Sequence, residues 1–390
     1  MIALAGTYLL GAALWSRAAG ASAALLLAAT PLAMSIGNML LPEMPLTALA
    51  VLSLLAFARG RLRLAVLCGV LAVWMKETGI FAAAAVGVGV LADAYRRRTL
   101  RDAATWWRAG LAALPLVALL AFFAWQKAHA GYYVFPHHQS LFADRPLGAQ
   151  NLLTVWPSLL LWHGRWIVIA AALGALALGR SVDPLRVEDR WRPKRSAVIV
   201  ACLALVLFNA IFFTKMFWLE RYALPAHPGL LVCACGALFA GFARLSSERA
   251  RSAAAYAAVL AAALAGVLSM RAPAPPDAEE HTFAYADVVA THRRAFAALT
   301  EQDAPVLTTW PMTVELREPY LGYVERPLAT VNARHFDADE DRVASILINT
   351  ASGRDGELRA EARRRGMRRV AVFREGAAPP LELYRPAERP

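Results

Sequence analysis

Charged residues are scarce in this chain: Asp, Glu, Lys and Arg make up 18% of its 390 residues, against 58% hydrophobic, and the mean hydropathy is positive. A soluble globular enzyme carries about 25% charged residues, so the composition excludes that class and points to a membrane protein. Cysteine is scarce too. Cys68, Cys202, Cys233 and Cys235 all fall in apolar stretches and the polar C-terminal third has none, so no disulfide framework is implied. Cys233 and Cys235, two apart, would leave a helix on different faces and make a poor metal pair. The chain has no phosphate-cradling glycine loop, no His-Glu-x-x-His zinc motif and no Gly-x-Ser-x-Gly nucleophile elbow. It shows no internal repeat and no low-complexity segment. No basic stretch precedes the apolar start, so Met1 to Leu14 reads as a helix entering from the far side of a membrane, not as a cleavable signal.

Long apolar runs are what the sequence does have. They lie near 1–15, 21–41, 46–58, 64–75, 79–94, 109–126, 161–179, 196–213, 224–243 and 252–270, which gives about ten crossings. A perpendicular crossing takes roughly 20 residues, so 46–58 and 64–75 are expected to borrow flanking residues or to sit in a thinned or protein-lined region. The formal charge of +12 is carried in short clusters between these runs, the pattern of cytoplasmic membrane loops and not of a nucleic-acid surface. Arg17 and the loops 59–63, 96–108, 180–195 and 244–251 hold eighteen Arg and Lys, whereas the alternate set (Lys76, Lys127, Arg145, Arg165, Lys215 and Arg221) holds six. The richer set is expected to be cytoplasmic. The breaks 42–45 and 76–79, the loop 127–160, the turn 214–223 and the tail then face outward.

The tail changes character. After Ala272-Pro273-Ala274-Pro275-Pro276 come an amphipathic run, Phe283 to Leu299, and short β-like runs at 305–309, 328–332, 345–349, 370–373 and 381–384, with a charged helix, Glu357 to Arg365, between two of them. Residues 1–270 are therefore expected to form a polytopic α-helical membrane domain, and 271–390 a small extracytoplasmic α/β domain.

Chemistry should sit at the outward helix ends, because a charge sunk to mid-membrane costs about 2.5 to 3.5 kcal/mol. Glu43, between Pro42 and Pro45, reads either as an interfacial carboxylate capping a helix start or as a functional acid. Lys76 and Glu77 read as a snorkelling lysine with a partner or as part of a site, with Thr78 and Gly79 turning the chain. The segment from Thr214 to Pro228, holding Lys215, Trp218, Glu220, Arg221, Tyr222 and His227, reads as an aromatic belt or as an anion clamp whose guanidinium matches phosphate oxygens. In the long outer loop, Tyr132, Tyr133, His137, His138, Asp144 and Arg145 form a polar aromatic surface suited to sugar or headgroup contacts, which a solvated loop explains as well. His137-His138 alone does not make a metal site.

The order of Gly20 to Glu43, then Arg61 to Glu77 closed by Lys-Glu-Thr-Gly, then Arg221-Tyr222-Ala223-Leu224-Pro225 before a late helix resembles the membrane-embedded GT-C glycosyltransferases over residues 1 to 245. Within them it is most similar to glycosyltransferase family 39, the protein mannosyltransferase and aminoarabinose transferase group. The resemblance implies a GT-C helical bundle in the inner membrane. It implies inverting transfer of a sugar from a polyprenyl phosphate carrier to a lipid, glycan or protein acceptor of the cell envelope, as in lipopolysaccharide or protein glycosylation, with no cofactor. It makes Lys76 and Arg221 the phosphate ligands and Glu43 a supporting acid or the base. Glu77, Glu220, Tyr222, Tyr133, His137 and His138 would contact substrate. The sequence departs from the family in one respect: these enzymes keep an acidic base on a first outer loop, after a first helix, and this chain begins after that point. A misassigned start or a truncated, inactive protein would each explain it. Other readings are a non-enzymatic carrier or flippase for a polyprenyl-linked glycan and a truncated assembly partner, although the related broken halves common in transporters are not evident.

Overall fold

The computed structural model describes residues 1–37, 41–133, 149–177, 193–215, 219–242, 248–270, 284–337, 342–376 and 378–387. The chain divides into two compact units, Met1–Ser269 and Met270–Pro390.

The first unit is helical. It opens with α1 (Ile2–Leu14), α2 (Arg17–Ala28), α3 (Pro31–Gly37), α4 (Glu43–Ala58), α5 (Leu62–Met75) and α6 (Ile80–Arg97). Ser16 starts α2 by accepting a hydrogen bond from the Ala19 amide at 3.1 Å, which satisfies one of the orphan donors of a first turn. Further helices span Ala103–Ala112, Leu114–Ala130, Ala149–Leu160, Arg165–Ala177, Arg195–Lys215, His227–Phe242 and Glu248–Ser269. Five of the described helical spans are long and apolar enough to cross a membrane. Two further pairs qualify as bent spans, Arg17–Ala28 with Pro31–Gly37 at 67° and Leu152–Leu160 with Arg165–Ala175 at 77°. Three shorter apolar helices, α1, α4 and α5, complete the set, so the apolar runs of the sequence correspond to these elements. The run 21–41 is thus broken at Ala29-Thr30, and the run 161–179 is one arm of a helix broken at His163-Gly164. All four cysteines are free thiols.

The polar breaks bring helix ends together. Between α5 and α6 the chain makes a single 3-10 turn, Glu77–Gly79, and the amide of Gly79 donates to the Lys76 carbonyl at 2.8 Å. A Cβ on Gly79 would lie 2.2 Å from the Ala72 carbonyl oxygen, so only glycine lets the start of α6 press this closely on the last turn of α5. Gly20 does the same between α1 and α2, where a Cβ would stand 2.3 Å from the Tyr8 carbonyl oxygen. At the opposite end of α6, Asp93 is 1% exposed. It accepts from Arg97 Nε at 3.1 Å and from the Lys194 amide at 2.8 Å, so a buried acid ties the loop side of the bundle together.

The second unit has a five-stranded sheet in the order β2-β1-β3-β5-β4. The strands are β1 (Val306–Thr308), β2 (Thr330–Asn332), β3 (Ser345–Asn349), β4 (Met367–Phe373) and β5 (Leu381–Pro386). β1 runs parallel to β2 and β3, while β5 runs antiparallel to β3 and β4. β3 is buried along its whole length because both faces are covered. Leu347 packs with Ala295 and Phe296 of the helix Ala284–Ala297, and Ile346 and Ile348 pack with Leu358 and Ala362 of the helix Asp355–Arg364. The five β-like runs and two helices of the sequence all appear, with ends shifted by a few residues.

Ion pairs close this unit. Hydrogen bonds from Arg364, then from Arg365, hold the Glu361 carboxyl down at about 2, and the guanidinium of Arg359 holds Glu382 below the usual carboxylate range. A carboxyl depressed in the folded state contributes stability that is fully present above its ordinary value and is lost as the pH falls toward the folded one. Amide hydrogen exchange over 284–387 in the intact chain should therefore accelerate as the pH drops from about 4.5 to about 2, after correction for intrinsic rates, and Glu361→Gln should flatten the change. In the helical unit, Gly79→Ala should cost about 1 to 3 kcal/mol in detergent unfolding. Gly87→Ala, whose added methyl meets nothing within 4 Å, should leave stability unchanged or raised.

Candidate active site at the polar helix ends

Glu43 is the first residue of α4, where the helix dipole favours an anion, yet it is 2% exposed. A buried carboxylate survives only when it is paired. Lys76, at the end of α5, supplies the partner: its Nζ donates to Glu43 Oε1 at 2.7 Å. Arg221 brings its Nε to 3.6 Å from the same oxygen. Glu43 Oε2 has no hydrogen-bond partner among the described residues. Three sequence breaks separated by 33 and 145 residues thus meet at one carboxylate oxygen.

Aromatic rings frame the cations. Lys76 Nζ sits 4.0 Å from the centre of the Tyr222 ring and the Arg221 guanidinium 5.4 Å from it, distances at which a ring face attracts a cation. Tyr222 stacks on Phe213 at 5.2 Å, Phe213 meets Phe212 at 5.1 Å, and Phe212 meets Phe81 at 5.0 Å. The row fixes the ring under the cations from the ends of α6 and of the helix Arg195–Lys215.

A cavity of about 330 Å³ lies among α1 to α4 and the Glu220–Ala226 turn. Met44 and Thr47, which follow Glu43 in α4, line it together with Leu224, Leu27, Ala33 and Met34, mostly apolar side chains with polar groups between them; Glu43, Lys76, Arg221 and Tyr222 are not part of its wall.

Of the residues singled out in the sequence, Glu43, Lys76, Arg221 and Tyr222 are brought together. Glu77 is exposed at the head of the adjoining turn. Tyr133 is exposed beyond the helix Leu114–Ala130, with Lys127 Nζ 5.5 Å from its ring centre. His137 and His138 lie outside the described residues, as do Asp144, Arg145, Trp218 and the Pro-rich 272–276 segment.

Glu220 turns away from Glu43 into a second buried group. It receives His163 Nε2 at 2.8 Å and stands 3.7 Å from Arg165 Nη2, which also bonds the Ser158 carbonyl. His227 is fully buried nearby, and neither ring nitrogen has a partner among the described residues. His163 and Arg165 were not singled out, although the sequence carried a signal: His163-Gly164-Arg165 is a polar interruption with a glycine inside an apolar stretch, like the two breaks that were. Among the described residues no group of three or more His, Cys, Asp or Glu is placed to hold a metal ion. Lys76→Met alone should destabilise the protein by about 1 to 3 kcal/mol, because the buried Glu43 carboxylate loses its hydrogen-bonded partner and keeps only Arg221 at 3.6 Å. Adding Glu43→Gln should recover most of that loss in a double-mutant cycle read by detergent unfolding.

No protein-family model matches the sequence, and no curated protein does either. Among solved structures, the chain is similar to ArnT from Cupriavidus metallidurans in the apo state, with a TM-score of 0.56 and 14% identity over 98% of this chain and 81% of that one. It is likewise similar to the same protein bound to undecaprenyl phosphate, with a TM-score of 0.55 and 14% identity over 98% of this chain and 82% of that one. At this identity the likeness is one of fold: a multi-pass helical membrane bundle and a small C-terminal α/β domain.

Proposed function

We propose that this chain is an inverting glycosyltransferase that moves a sugar from a polyprenyl phosphate carrier to a lipid, glycan or protein acceptor at the outer face of the inner membrane. The observation that carries the reading is the convergence of Lys76 and Arg221 on one buried carboxylate. A GT-C fold shared with a protein crystallised with undecaprenyl phosphate supports it. In such a transfer the acceptor hydroxyl attacks the anomeric carbon from the side opposite the phosphate and gives its proton to Glu43 Oε2, the oxygen that Lys76 leaves open, or to solvent; the bond from that carbon to the phosphate oxygen breaks, and the polyprenyl phosphate leaves with the electron pair. Charge grows on the leaving phosphate, and two fixed cations in a water-poor site stabilise that charge more than they stabilise the bound donor.

Each residue then has a role. Lys76 acts as a point charge, whereas the Arg221 fork can meet two phosphate oxygens. Glu43, whose Oε1 is already taken by Lys76, is the support that keeps two like charges at one place before the donor arrives. Tyr222 offers its ring to the cations and its hydroxyl to the sugar side. The apolar side chains of Leu27, Met34, Met44 and Leu224 in the cavity wall suit the first isoprene units of the carrier. The outward orientation rests on the Arg and Lys of the loops 59–63 and 96–108, which lie at the opposite ends of α4, α5 and α6 from the cluster.

Membranes holding the chain, incubated with radiolabelled polyprenyl phosphate sugar, should pass label to a non-lipid or lipid A acceptor. Lys76→Ala and Arg221→Ala should each lower the rate about 100-fold, the usual effect of removing one charge-stabilising donor. Label that moves undiminished in a Glu43→Gln, Arg221→Ala double variant would refute the site. Label that crosses the bilayer still attached to its lipid would instead favour a carrier.

A further inference from the structure

The turn that carries Arg221 is a weak scaffold taken alone. Glu220–Ala226 is a 3-10 helix with Pro225 inside it, and such turns hold their geometry poorly without outside support. Successive side chains on a 3-10 turn diverge by about 120°, so Arg221 can reach Glu43 on α4 while Glu220 points elsewhere. Glu220 reaches the break between the helices Ala149–Leu160 and Arg165–Ala177. There His163 holds a left-handed backbone, φ +56°, a conformation that is unfavourable for a non-glycine residue and persists only where its surroundings fix it.

Both ring nitrogens of His163 are fixed. Ser269 Oγ donates to the Gly266 carbonyl at 2.7 Å and lies 2.9 Å from His163 Nδ1, within hydrogen-bond reach. The other nitrogen, Nε2, is hydrogen-bonded to Glu220 Oε1 at 2.8 Å. The result is a continuous chain, Gly266 to Ser269 to His163 to Glu220, that ends one residue before Arg221. Arg165, 3% exposed, adds its charge 3.7 Å from the same Glu220 oxygen and makes the carboxylate costly to move.

From this geometry we infer that Glu220 and His163 are a positioning pair: they lock the Glu220–Ala226 turn against the broken helix and so set where Arg221 meets the donor phosphate. The inference rests on the phosphate-binding role proposed above for Arg221. It assigns Glu220 a place behind the site instead of a contact with the sugar.

Two measurements on the full-length chain in detergent test it, with undecaprenyl phosphate as the probe. In ligand-free protein, Glu220→Ala and His163→Ala should speed hydrogen exchange across 219–227 while α4 stays protected. Glu220→Ala should also weaken undecaprenyl phosphate binding about tenfold, the effect expected when a hydrogen bond to a charged group is lost. Glu220→Gln, which keeps an oxygen for His163, should restore most of that affinity. In an Arg221→Ala background, Glu220→Ala should cost nothing further, because it acts through the arginine. A general folding defect would add to the Arg221→Ala loss instead, and that result overturns the inference, as does wild-type exchange across 219–227 in Glu220→Ala. If Glu220→Ala fails to fold, Ser269→Ala, which cuts the chain at its far end, should shift both readouts the same way by less. A turn that loosens in a protein whose wild type neither binds the lipid nor transfers sugar would uphold the support and end the phosphate reading.

Discussion

A charge placed among apolar helices has to find its counter-charge, and in this protein that requirement is met by Glu43 and Lys76 at 2.7 Å. The pair joins the start of α4 to the end of α5, and it draws Arg221 in from a distant part of the chain. Without Lys76 the carboxylate, 2% exposed, would keep only Arg221 at 3.6 Å, and without Glu43 two cations would repel each other at one helix end. The site is thus also a structural joint. This coupling explains why the strongest candidate for function coincides with the place where three helix ends converge.

Around that joint the architecture repeats one device, a polar break in an apolar helix. The 76–79 break turns on Gly79, the His163-Gly164 break turns on a left-handed residue, and the Glu220–Ala226 turn follows a long apolar helix. Non-helical backbone inside a membrane bundle is tolerated where protein covers it and side chains satisfy it. Each break here exposes polar side chains that the neighbouring break satisfies: Lys76 with Glu43, and His163 with Glu220. The aromatic row from Phe81 to Tyr222 fills the space between them with rings that pack well and tolerate a cation on one face.

The C-terminal unit follows different rules, those of a water-soluble α/β layer structure. Its sheet is covered on both faces, its strands are short, and its carboxylates Glu361, Glu382 and Asp303 are held by arginines. Those features made it readable. Short β-branched runs separated by turn residues, and the charged helix before Gly366, marked its strands and helices because solvent on the outside forces a periodic pattern. In the membrane unit that pattern is missing, since lipid and protein interior are both apolar, and a helix there looks alike on every face.

The sequence by itself determined the membrane class, the number of apolar runs, the C-terminal α/β layer and the identity of Glu43, Lys76, Arg221 and Tyr222 as residues worth placing. Each of these follows from local composition or from a polar residue interrupting an apolar run, and such interruptions carry a cost that is visible in one dimension. Only the tertiary structure decided that Glu220 pairs with His163 and stands beside Arg165, and that Asp93 is buried under Arg97. The reason is physical: which charge pairs with which depends on how helices far apart in the chain pack, and packing between apolar faces leaves no periodic mark in the sequence.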